Sequence, residues 1–204
     1  MVSTKLAVAS PSIQATTNAE TLSLPPVFAL ITLTELLILR PKFVGGLPFY
    51  LLGIFCLSAL PLLAYPLQRF FKKYKDRGRE GQRELAIIFS AIGYLLSVVP
   101  AFVFHAPREL KMLFAEYLLC GISVFISGKV FKKKASGHAC GVTGPVAMLI
   151  YLGLYIPALV GALLVVPVYI SSIKTRRHTR GELILGSVIP VAMLAIVHVV
   201  FLAI

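Results

Sequence analysis

LPFYLLGIFCLSALPLLAYPL, residues 47–67, carries no charged side chain from end to end. It gives way at once to QRFFKKYKDRGREGQRE, residues 68–84, in which seven side chains are Lys or Arg. An apolar run of about 20 residues is the length a helix needs to cross a hydrocarbon core roughly 30 Å thick. A sharp change to a basic loop marks the edge of such a crossing.

The same alternation continues in both directions. Further apolar runs occupy 25–39, 85–104, 111–128, 138–157, 158–173 and 182–204. The first of these is short, and either spans with tilt or lies partly in the interface. The expected fold is an all-α membrane protein, a polytopic bundle of six to seven transmembrane helices. Residues 25–204 form one helical domain in this reading. Residues 1–24, rich in Ser, Thr and Ala and without an apolar core, read as a flexible tail rather than a secretory signal.

Composition agrees. The chain is 58% hydrophobic and 14% charged, with mean hydropathy +0.89. A soluble domain needs about a quarter of its residues charged to cover its surface. The formal net charge of +12 does not point to nucleic acid, because the cations sit in short loops between apolar runs. The three cysteines, Cys56, Cys120 and Cys140, lie in or beside apolar runs and have no metal-ligand or disulfide spacing. They read as small packing residues.

Counting crossings places three loops on one face: 68–84, 129–137 and 174–181. They carry seven, four and four of the 20 Lys and Arg residues. Positive-inside counting makes that face cytoplasmic. Three basic loops on one face are also an anion site in outline. Two of them contain histidine: the second ends in Ser136-Gly137-His138, and the third holds His178 with Glu182 four residues on.

Phosphoryl transfer from a lipid needs four things. Cations and helix-start amides must hold the phosphate, and Ser136-Gly137-His138 opens the fifth helix. A nucleophile must attack phosphorus, and a neutral imidazole can do so. A carboxylate one helical turn away can hold that imidazole by its other nitrogen, and His178 and Glu182 have the spacing. A second imidazole must protonate the departing alkoxide, and His138 is placed for it.

These residues resemble the three motifs of the phosphatidic acid phosphatase type 2 superfamily of membrane lipid phosphatases and diphosphatases. The resemblance covers the second to seventh helices, in motif order. Ser136-Gly137-His138 matches the second motif, with Ala135 in place of its proline. His178 and Glu182 match the end of the third, with Glu for Asp, and Gly186 stands where a small residue is common. Lys72 and Arg79 have the spacing of the first motif, with Glu80 for its proline; registers using Lys75, Arg77 and Arg83 also fit. Ser171-Ser172 stands where Ser-Arg is expected, so one phosphate-binding arginine is missing unless Lys174, Arg176 or Arg177 replaces it.

The resemblance implies a lipid phosphate or diphosphate phosphohydrolase working through a phosphohistidine, with no cofactor and no metal. His178 is then the nucleophile, Glu182 its partner and His138 the general acid. Lys72, Arg79, Ser136, Gly137, Arg176 and Arg177 hold phosphate. Its partners are the lipid substrate and membrane lipids. The alternative is a family member that has lost catalysis and serves as a binding or structural subunit.

Four other side chains receive plainer readings. His105 lies in a polar loop on the opposite face, and His198 within the last helix, where a helix-to-helix hydrogen bond is expected. A pair of haem ligands from these two is the competing reading. Glu35 and Glu116 are expected near the far interface, paired with or snorkelling toward Arg40 and Lys111.

Overall fold

The computed structural model describes residues 24–39, 47–129, 135–176 and 178–203. Among them the regular structure is entirely helical. Helix α1 is Leu24–Leu39 and α2 is Leu47–Phe70. Then come α3 (Gly78–Val103), α4 (Arg108–Lys129), α5 (Gly137–Tyr151), α6 (Tyr155–Lys174) and α7 (Arg180–Ala203). Five of them, α2, α3, α4, α6 and α7, are long and apolar enough to cross a membrane. Helices α1 and α5 have 16 and 15 residues, or about 24 Å and 22 Å at 1.5 Å per residue.

Apolar runs therefore map onto helices one for one, with two displaced boundaries: α3 starts at Gly78, inside the stretch 68–84 expected to be loop, and α5 ends early. Residues 138–157 were expected to be one helix ended by Pro157. Instead α5 ends at Tyr151, and Gly153 takes the turn at φ +75°. The Leu154 amide donates back to Leu149 O at 2.9 Å, closing the helix end. Pro157 sits in the first turn of α6, where its missing N–H costs nothing.

Helix α2 is not uniform. Residues Ile54–Ala59 form a π turn, and the Leu60 N–H reaches back five residues to Phe55 O. Pro61 follows directly; its ring crowds the carbonyl four residues earlier, and the wider turn absorbs that clash. The widened stretch presents the Cys56 carbonyl to Gly93 of α3, so closely that a Cβ at Gly93 would collide with it.

The pairs that set the bundle are α2 with α3, α3 with α4, α4 with α7, and α5 with α6, α7 and α1. Contacts along them are antiparallel where sequence alternation requires it. Lys111 lies over the Phe102 ring and Tyr94 packs on Gly121. Arg108 Nη2 donates to Phe201 O at 3.0 Å, and Ser123 Oγ to Met193 Sδ at 3.2 Å. The helix ends that flank the three basic loops thus lie at one end of the bundle. At the other end, Tyr151 OH and His198 Nδ1 are hydrogen-bonded at 2.7 Å. That is the helix-to-helix bond expected of His198.

Glu35 and Glu116 depart from expectation. Both are buried inside the bundle, at 2% and 1% exposed. Glu35 Oε2 accepts from Tyr117 OH at 2.7 Å, and the Lys111 ammonium lies against Phe102 instead. Arg40 is outside the described residues.

Candidate active site

The starts of α5 and α7 meet. Ser136 is the N-cap of α5, its hydroxyl accepting from Ala139 N at 3.3 Å. Its own amide donates to Glu182 O at 2.9 Å, a main-chain bond between the two helix starts. Gly186, one turn further along α7, faces Ser136 O and Ala139; a Cβ there would strike the carbonyl. Only glycine lets the helices approach so far.

Thr179 caps α7 through a reciprocal pair. Glu182 N donates to Thr179 Oγ1 at 3.3 Å, and Thr179 N donates to Glu182 Oε2 at 3.3 Å. This capping box satisfies two of the helix's orphan amides. The same carboxylate oxygen lies 2.9 Å from His178 Nδ1. Glu182 therefore both closes the helix and orients the imidazole, fixing Nδ1–H as donor and Nε2 as the nitrogen with the lone pair.

The His178 side chain is only 3% exposed, and its Nε2 carries no hydrogen bond among the described residues. The His138 ring stands 5.8 Å away, centroid to centroid, tilted by 55°. Gly137, at the first position of α5, is exposed and its amide has no intrahelical acceptor. An open pocket of about 330 Å³ is lined by Ile173, Arg176, His178, Thr179 and Glu182.

Arg176 is held at φ +50°. A non-glycine residue in this left-handed region costs roughly 1 kcal/mol. The conformation turns the chain after α6, with Arg176 N bonded to Ile173 O at 3.0 Å, and brings a cation to the pocket. Ser172, where the resemblance calls for arginine, is buried; its carbonyl accepts from His178 N at 3.4 Å.

Of the expected site residues, Ser136, Gly137, His138, Arg176, His178 and Glu182 are together. Lys72 is exposed in the turn between α2 and α3, and no described contact joins it to the histidines. Arg79 falls in the first turn of α3, with its side chain outside the described residues, as is Arg177 altogether. The turn holding Lys72 has its own frame. Gln68 Nε2 donates to Tyr74 O and Gly78 O, both at 2.7 Å, and Arg77 forks onto Glu84 at 2.7 and 2.9 Å. Thr179 was not among the expected residues, although Thr-x-x-Glu ahead of an apolar run is a helix-start signature.

Comparison with family models, with curated proteins and with solved structures finds no match to this chain.

Proposed function

We propose that the protein is an integral membrane phosphohydrolase for lipid monophosphates or diphosphates, of the phosphatidic acid phosphatase type 2 kind. The observation that carries the reading is the His178–Glu182 pair at a helix start, both residues lining a pocket, with a second imidazole ring 5.8 Å from that of His178.

In this reading Nε2 of His178 attacks phosphorus, and Glu182 steadies the imidazolium that forms. The bond from phosphorus to the leaving oxygen breaks, and protonated His138 gives its proton to that oxygen. The products are phosphohistidine and either a lipid alcohol, from a monophosphate, or a lipid monophosphate, from a diphosphate. Water then attacks phosphorus, yielding its proton to His138, and phosphate leaves with His178 restored. Nucleophile and acid are both imidazoles, so the scheme uses no metal. Arg176 and the Gly137 amide hold the phosphate oxygens. We read all seven helices as membrane-embedded, with α1 and α5 too short to span fully. Positive-inside counting puts the site at the cytoplasmic face; labelling an introduced loop cysteine with an impermeant reagent tests that.

The decisive assay is phosphate release by the detergent-purified protein from a panel of lipid phosphates and diphosphates, with EDTA present. Release is expected, and His178→Ala is expected to remove it. A folded wild type that releases nothing from any of them overturns the reading.

Arg176 offers a second check. Arg176→Gly relieves the positive φ, so the unfolding temperature is expected to hold or rise by a few degrees. Loss of a charge-assisted phosphate contact is expected to slow release by about 10²-fold. Stability and activity then move apart, which mere loosening of the loop does not produce.

A second reading, a non-catalytic binding or structural subunit, is favoured by buried Ser172 in place of the motif arginine. Activity that appears only in Ser172→Arg supports that reading. Wild-type activity that Ser172→Arg does not raise supports Arg176 as the replacement.

A further inference from the structure

Away from the histidines, α1 and α4 each bury a carboxyl group inside the bundle. Glu35 keeps one oxygen on Tyr117 OH, but among the described residues its Oε1 has no hydrogen-bond partner, and neither has Glu116 Oε1 or Oε2. Glu116 lies eight positions into α4, about 12 Å along the helix at 1.5 Å per residue. The titratable groups within electrostatic reach of it are Glu35 of α1, Cys140 of α5, and Tyr117 and Cys120 of its own helix, and Tyr117 also bonds Glu35. On α5 Gly144 leaves room: a Cβ there would lie 3.8 Å from Glu116 Oε1 and 3.7 Å from Pro190 of α7. No Lys, Arg or His among the described residues pairs with either carboxyl.

Three carboxyl oxygens in the bundle interior thus have no hydrogen-bond donor among the described residues. Buried charges persist only when paired or neutralised, and intramembrane ionisable residues are functional candidates by default. We propose that Glu35 and Glu116 form an intramembrane site for a small monovalent cation, a proton or an alkali-metal ion, shared between α1 and α4. A proton held on either carboxyl turns one of its oxygens into an O–H donor and leaves that group uncharged in the bundle interior. An alkali-metal ion satisfies the same oxygens by coordination, with Tyr117 holding the remaining side of Glu35. Glu116 lies opposite Gly144, six positions along α5 from His138, or about 9 Å. The site is thus distinct from the phosphate pocket and does not depend on its chemistry.

The test is infrared spectroscopy of the full-length protein in phosphatidylcholine vesicles, titrated upward from pH 6 and, separately, with NaCl at fixed pH. Ordinary carboxyls are ionised above about pH 6, so a protonated-carboxyl band there reports a held proton. A band that shifts in D2O and fades on alkaline titration, independent of Na+, identifies the proton. Carboxylate bands that shift on adding NaCl at constant pH identify the alkali ion. Either signal is expected to be lost in Glu116→Gln and Glu35→Gln. Tyr117→Phe keeps both carboxyls and is expected to shift the signal, which preserves the assignment if a glutamine variant fails to fold. A wild-type spectrum indifferent to both pH and NaCl, or signals unchanged in all three variants, overturns the proposal.

Discussion

His138→Ala is expected to slow hydrolysis of an alkyl phosphate by about 10²- to 10⁴-fold, the range general acid catalysis contributes. The loss is expected to be far smaller, within roughly tenfold, for an aryl phosphate whose phenolate leaves without a proton. Position underlies the contrast. The His138 ring stands 5.8 Å from that of His178, room for a phosphoryl group between nucleophile and acid. His138 starts α5, whereas His178 is held by Glu182, so removing the first ring leaves the nucleophile oriented. Steady-state rates on the two substrate types, from one preparation, give the answer. Equal losses on both would assign His138 to phosphate binding rather than proton transfer.

Gly186→Ala is expected to be the most damaging single-methyl change in the site. The new Cβ meets main chain, the Ser136 carbonyl, which cannot swing away as a flexible side chain does. Overpacking costs about 1–3 kcal/mol where side chains can yield, and a main-chain obstacle puts this variant at the upper end. The helices must separate, stretching the Ser136 N–Glu182 O bond and moving His138 from His178. A displacement near 1 Å is worth about 10²-fold in rate. A thiol-reactive dye, reading exposure of the three buried cysteines on heating, gives stability beside the activity assay. Wild-type values in both would show that α5 and α7 have slack the structure does not suggest.

How much of this was legible beforehand varies by residue. Helix positions follow from apolar runs cut by charge, because the membrane leaves a backbone few other ways to satisfy itself. The boundary at Gly153 turned on whether Pro157 ended a helix or began one, both common uses of proline, and α3 starts at Gly78 because helix continues through charged residues that apolarity does not mark. His178 and Glu182 were readable because a carboxylate four residues on shares a helical face. Thr179 was readable too, through its capping box. Burial of Glu35 and Glu116 was not, since Tyr117 reaches Glu35 across 82 positions of sequence and no local pattern encodes that. Arg176 could be named as a stand-in cation, but its left-handed backbone comes from how α6 ends, a tertiary matter.

The amide of Ser136 and the carbonyl of Glu182 belong to every sequence that can fold this way, whatever side chains flank them. The interval between the two imidazoles is therefore written in main chain and guarded by one absent methyl at Gly186. Such a frame tolerates drift: Ala135 and Glu182 can stand where proline and aspartate are expected without altering the span between the rings.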